Sequence, residues 1–309
     1  MQGLAGKPAD DAVWLRVEAA GIELAEAGQR LLAAGGTGLN GRDVHALRVI
    51  CKRLRALWRM LEADFTADVT RPPERALRDV ARMLAGQREA SVRIKTLARL
   101  ARKADSPRKQ ALAGRFGVAL ASVLETSATL CTPEPQMRAV FADQIQRLRA
   151  LGPPPTTMTL AAGITDSMRR ARKSGRRALA SGDVERWHRC RKWVKYEHYQ
   201  LELCMDLRGR WERRHDRLQR LGVLLGRYND LEDLACYLDR LSAGFELPPT
   251  TLAATCEDLR RSGDDRRLQR LVAREQRKLG KRIRRRHRRL YGERPRRFAV
   301  RLEKRLSGR

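Results

Sequence analysis

The residues best able to do chemistry in this chain are cationic and regularly spaced. The segment Asp43-Val-His-Ala-Leu-Arg-Val-Ile-Cys-Lys52 sets His45, Arg48 and Lys52 at i, i+3 and i+7. At about 100° per residue, Arg55 and Arg59 join them within an arc of about 80°. Leu47, Ile50, Leu54, Leu57, Trp58 and Leu61 fall on the opposite side, so one face is basic and the other apolar. The stripe is roughly 21 Å long at 1.5 Å per residue, which suits a linear chain of phosphates better than one small ligand. Arginine offers phosphate a planar fork of donors, and lysine offers a point charge. A histidine titrates near neutrality, and a nearby polyanion favours its charged form. Taken alone, such a stripe reads as a solvated basic face.

Repetition argues otherwise. Arg186-Trp-His-Arg-Cys-Arg-Lys-Trp-Val-Lys195 places His188, Arg191 and Lys195 at the same spacing, 143 residues on. His198 falls in the same arc, Glu202 ends it, and Lys192 lies about 40° to the other side. Trp187, Trp193, Tyr196 and Tyr199 surround this second helix, which predicts deeper burial than the first. A second echo pairs Leu84-Ala-Gly-Gln-Arg-Glu89 with Leu225-Gly-Arg-Tyr-Asn-Asp230, at an offset of 141. Two echoes in one order imply internal duplication.

The elements that must position these stripes are helices. Stretches rich in Ala, Leu and Arg run between proline-marked breaks, and alternating β-branched runs are absent. The reading is all-α, with helices near 10–34, 43–64, 74–103, 107–130, 134–151, 157–181, 184–208, 211–243, 249–262, 264–291 and 295–307. Asp43 and Asp183 are expected N-caps, and Gly35-Gly36 and Gly209 expected stops. Pro153-Pro154-Pro155 cannot continue a helix and divides the chain into expected domains at 9–152 and 156–309.

Composition narrows the partner. The 309 residues hold 66 Lys+Arg against 36 Asp+Glu, a net charge of +30, which points to a polyanion. Residues 266–309 alone hold 20 basic and 3 acidic residues. Six scattered cysteines form no disulfide framework, and there is no long apolar run or leader-like start, so a cytoplasmic location is expected. No phosphate-binding Gly-x-x-x-x-Gly-Lys, no His-Glu-x-x-His and no zinc-ligand spacing occurs, so neither catalysis, a cofactor nor a metal is expected. Gly35-Gly-Thr-Gly38 reads as a loop, and His215-Asp216 is a lone dipeptide without further ligands. Asn229-Asp-Leu-Glu-Asp233 could hold a divalent ion but reads first as arginine partners or a cap. The rival function is nonspecific nucleic-acid binding through Lys281-Arg-Ile-Arg-Arg-Arg-His-Arg-Arg289. Leu279, Ile283 and Leu290 form an apolar seam there, so the run is expected to be a bundle helix with a basic outer face.

The segment Val44–Arg55 resembles the opening signature of the CHAD family, the conserved histidine α-helical domain. Trp187–Lys195 resembles that family's second histidine-bearing helix, and Leu84–Glu89 and Leu225–Asp230 resemble its two turns. Met168-Arg-Arg-Ala-Arg-Lys173 resembles the basic helix opening the second half, and Arg288–Pro295 the end of the domain. Glu89, Met168, Tyr196 and His198 depart from the usual pattern, which makes the second stripe less basic. The resemblance covers about residues 10–307. It implies two pseudo-symmetric four-helix bundles flanking a basic groove or pore, binding to inorganic polyphosphate, and association with polyphosphate granules. Arg48, Lys52, Arg191 and Lys195 are the expected phosphate contacts, with His45 and His188 as donors. Arg55, Arg59, Arg169, Arg172, Lys173 and Lys192 are expected to support them.

Overall fold

The computed structural model describes residues 9–34, 39–84, 86–104, 106–126, 134–243, 257, 261 and 263–308. Among the described residues all regular structure is helical: α1 (Ala9–Ala34), α2 (Gly41–Leu61), α3 (Ala67–Met83), α4 (Gly86–Arg102), α5 (Pro107–Thr126), α6 (Glu134–Arg149), α7 (Thr157–Ser181), α8 (Val184–Cys204), α9 (Arg210–Ser242), α10 (Asp264–Leu290) and α11 (Pro295–Leu306). Apart from residues 257 and 261, the helix expected at 249–262 lies outside the described residues, as does the glycine cluster at 35–38. None of these helices is long and apolar enough to cross a membrane.

Several local readings change: α8 ends at Cys204 and not at Gly209, and Leu225–Asp230, likened to a turn, lies within α9. The stretch expected as one helix over 74–103 is two, α3 and α4, and α3 begins at Ala67 with Pro72 and Pro73 inside it. Both lie beyond the first turn, so each removes one backbone hydrogen bond of the helix. Burial of Pro73, Leu77 and Val80 offsets that loss. The N-cap of α2 is Asn40, whose side chain accepts from the Arg42 and Asp43 amides, so Asp43 sits in the first turn instead. Asp183 caps α8 as expected, accepting from the Glu185 amide. Gly182 closes α7 in the left-handed conformation that favours glycine.

The chain forms two compact units. The first comprises residues 1–84, 131–222 and 286–309, and the second 85–130 and 223–285. Each sequence half supplies both units in the same order. α1–α3 belong to the first unit, α4 and α5 to the second, and α6 to the first. Likewise α7, α8 and the start of α9 belong to the first, the rest of α9 and most of α10 to the second, and α11 to the first.

In the first unit α2 is the central helix, packed by α1, α3, α7 and α8. Leu47, Leu54, Leu57, Trp58 and Leu61 are all buried, as the sequence pattern predicts. The Trp58 indole donates to the Gln144 Oε1 on α6 at 2.6 Å, pairing one buried polar atom of each residue. α7 crosses α2 at Gly163, where a Cβ would collide with the Met60 carbonyl oxygen. Gly163→Ala must therefore push two helices apart. We expect a loss of about 2 kcal/mol or more despite the better helix propensity of alanine. Urea denaturation followed by circular dichroism measures it, and an unchanged midpoint contradicts the packing.

Candidate polyanion-binding site

The site is built where α2 and α8 pack in the first unit. Ala56 and Met60 lie about 20° and 60° from His45, beside the basic arc, and both are fully buried. α8 lies over them: Gln200 donates to the Ala56 carbonyl at 2.9 Å, and the Cys204 Sγ sits 3.4 Å from the Met60 Sδ. A small residue at position 56 allows that approach. α8 thereby divides the cations of α2 into two groups, with Arg55 and Arg59 on one flank and Arg53 on the other.

On the first flank Glu74 of α3 is the anchor. It is 3% exposed and accepts from the Arg55 Nε and Nη2 at 2.8 and 2.6 Å and from the Arg59 Nη2 at 3.3 Å. Burial pushes its carboxyl up, but Arg55 and Arg59 outweigh burial and hold it below the usual carboxylate range. Arg59 also pairs with Glu62 at 2.6 Å. Lys192 reaches this group from α8, its Nζ 5.1 Å from the Trp193 ring centre. Arg170 of α7 stacks on the same ring at 4.7 Å. Burial and then Arg59 and Arg55 push the Lys192 ammonium below its ordinary value.

On the second flank Arg53 and Lys195 lie against the Tyr199 ring at 5.6 and 5.4 Å. Arg53 also pairs with Glu202 at 3.0 Å. Burial and then Arg191 lower the Lys195 ammonium. Eight cations, Arg48, Lys52, Arg53, Arg55, Arg59, Arg191, Lys192 and Lys195, thus share the α2–α8 pair with two carboxylates packed against them, Glu74 and Glu202. Burial first and the neighbouring arginines second thus weigh against the charged form of both lysines.

The expected residues divide by role. Arg48 donates to the Ala81 and Leu84 carbonyls at 2.5 and 3.0 Å, closing the C-terminal end of α3. Lys52, Arg191, Lys192 and Lys195 are half-buried along the pair. His45 and His188 are at the surface near the starts of α2 and α8. Partial desolvation, then Arg191 and Lys192, hold His188 below the usual imidazole value, which favours the neutral ring. On α7, Arg172 turns to the other side and donates to the Tyr291 carbonyl at 3.0 Å. Arg169 pairs with Asp166 on the outer face, where Lys173 is exposed. The α7 cation beside α8 is Arg170, which the sequence reading passed over together with Arg53 and the carboxylate Glu74.

The remaining expectations also find their places. Asp230 and Asp233 pair with Arg99 and Arg93 in the second unit, the arginine-partner reading of that acidic cluster. Leu279, Ile283 and Leu290 are buried, while Lys281, Arg282, Arg284, Arg285, Arg288 and Arg289 face outward. A separate cavity of about 390 Å³ in the second unit is lined by Arg108, Lys109, Arg267, Arg270 and Arg274. No sequence spacing signalled it, because its two walls lie far apart in the chain.

Comparison with known proteins agrees on the family. The model of the CHAD domain matches residues 24–239. The crystal structure of the CHAD domain from the plant Ricinus communis is similar at a TM-score of 0.52 and 20% identity, covering 88% of this chain and 95% of that one. No curated protein matches the chain.

Proposed function

Because this chain belongs to the CHAD family, we propose that it binds inorganic polyphosphate on the cationic surface of the α2–α8 pair, without chemical turnover. The observation that carries the reading is the gathering of Arg53, Arg55, Arg59, Lys192 and Lys195 along two packed helices, around the Trp193 and Tyr199 rings and Glu74. The family's general association with polyphosphate gives the ligand class. Lys52, Arg191, Lys192 and Lys195 meet phosphate oxygens, with His45 and His188 as donors at the ends of the stripes. Arg48, Arg55 and Arg59 hold the helices and carboxylates that shape the surface. The two halves, 9–152 and 156–309, are copies of one ancestral unit, which accounts for their contributing to both compact units in the same order. Retention on polyphosphate granules follows from such binding.

Binding of this kind is driven by counterion release. With about six phosphate contacts, log K falls against log salt with a slope of about −4, at ~0.7 per contact on a single strand. Titration of long-chain polyphosphate between 0.05 and 0.4 M salt (a range set by roughly the Debye regime of interest) measures it, and a flat response contradicts the proposal. The outward cations of Lys281–Arg289 favour a second reading, nonspecific nucleic-acid binding.

A further inference from the structure

The structure brings His198, Glu202 and His215 into one cluster, although no spacing in the sequence suggested a metal. His198 and Glu202 are one turn apart on α8, and His215 comes from the start of α9. The two imidazoles stack with ring centres 4.1 Å apart and planes 17° from parallel. Both converge on one carboxylate atom. His215 Nε2 lies 2.8 Å from the Glu202 Oε1, and His198 Nε2 lies 3.4 Å from it. The other oxygen, Oε2, accepts from the Arg53 Nη2 at 3.0 Å. One oxygen is thus fixed by a neighbour, and the other is presented to two ring nitrogens.

We propose that His198, Glu202 and His215 form a three-ligand site for a transition-metal ion of the Zn²⁺ class. Bonds of about 2.0–2.2 Å in a tetrahedral site place neighbouring ligand atoms about 3.3–3.6 Å apart. The three ligand atoms already lie within 4.8 Å of one another, and turning one ring out of the stack, with loss of the His215–Glu202 hydrogen bond, directs both in-plane lone pairs at one ion. Arg53 orients the carboxylate from behind, the task that outer hydrogen-bond partners perform at metal centres. Two imidazoles and one carboxylate leave a fourth position open to water or an anion. The ligand set selects the metal. Mg²⁺ and Ca²⁺ require mostly oxygen ligands, whereas imidazole suits Zn²⁺, Co²⁺, Ni²⁺ and Cu²⁺. The positive charge of Arg53 and Lys195 further disfavours a cation held by charge alone. His198 is 4% exposed, so a metal there is shielded from bulk water on that side.

The test uses the full chain, stripped with a chelator and kept free of phosphate. Co²⁺ is titrated with its visible absorption as the readout, and Zn²⁺ is then added in competition. We expect one equivalent of Co²⁺ with tetrahedral absorption, displaced by Zn²⁺. His215→Ala and Glu202→Gln should each weaken binding by more than about 100-fold, beyond the loss of an outer partner. Circular dichroism of each variant checks the fold. Glu202→Gln keeps the shape and the hydrogen-bonding oxygen, so it tests the site even where His215→Ala loosens α9. No saturable binding by the wild type, or equal binding by both variants, overturns the proposal. Because polyphosphate is absent, neither result touches the polyphosphate reading.

Discussion

Glu197→Ala should lower the stability of the protein by about 3–5 kcal/mol, the cost of leaving a buried charge without its partner. Glu197 is 0% exposed, in the middle of α8. Its Oε1 accepts from the Arg214 Nε at 2.7 Å and from Nη2 at 2.5 Å, and its Oε2 accepts from the Tyr291 hydroxyl at 2.9 Å. Arg214 is itself buried, with its guanidinium 4.4 Å from the Phe298 ring centre. One carboxylate therefore ties α8, α9 and the segment leading into α11. Burial first, and then Glu197, push the Tyr291 phenol well above its ordinary value, so the hydroxyl remains a donor at every working pH. Removing the carboxylate orphans a guanidinium and a phenol together. Domains of this kind have about 5–15 kcal/mol in total, so the variant approaches unfolding at 37 °C. The double variant Glu197→Ala/Arg214→Met should recover much of the loss, because apolar replacement of a buried pair is often neutral. Chemical denaturation of both variants decides it. A single variant within about 0.5 kcal/mol of wild type contradicts the account of this triad.

Neutralising the α2–α8 surface has the largest expected effect on binding. Lys52, Arg191, Lys192 and Lys195 changed together to alanine should weaken polyphosphate binding on the order of 100-fold near 0.15 M salt. The salt slope should shrink by about 3, from four lost contacts at ~0.7 each. Arg48 is left intact because its guanidinium closes α3 through the Ala81 and Leu84 carbonyls. Arg55 and Arg59 are left intact because their loss strands the buried Glu74. Circular dichroism and urea denaturation of the variant check its fold, since Lys192 and Lys195 also pack on the Trp193 and Tyr199 rings. A variant that folds normally and binds polyphosphate with an unchanged salt slope contradicts the placement of the site.

The extent to which the sequence announced all this follows from helix geometry. Helix faces were legible: the apolar side of α2 is buried, the aromatic-rich α8 is more buried than α2, and the basic run of α10 faces outward over its apolar seam. Which flank of a face meets which neighbour was not legible. Arg170 and Arg172 border the apolar side of α7 on opposite edges, and spacing alone cannot tell which edge meets α8. Arg170 stacks on Trp193, while Arg172 reaches Tyr291. Glu74 gave no signal either, since it meets Arg55 only after the chain has turned back from α2 into α3. The same holds for His198, Glu202 and His215, where the turn between α8 and α9 supplies the third group. The break between α3 and α4 falls at the start of Leu84–Glu89, the segment that resembles a family turn, but helix formers on both sides hide it from a reading by propensity.

The central claim is selective binding of polyphosphate by the α2–α8 pair. Its most direct test is competition of labelled long-chain polyphosphate against duplex DNA and single-stranded RNA, at equal phosphate concentration and ~0.15 M salt, near the physiological screening length. Wild type is compared with the four-site alanine variant and with a variant neutralised at Arg282, Arg285 and Arg289. The account predicts preference for polyphosphate, lost in the first variant and kept in the second. Equal or stronger binding of nucleic acid, unchanged by the α2–α8 substitutions and lost with the α10 cations, would contradict it.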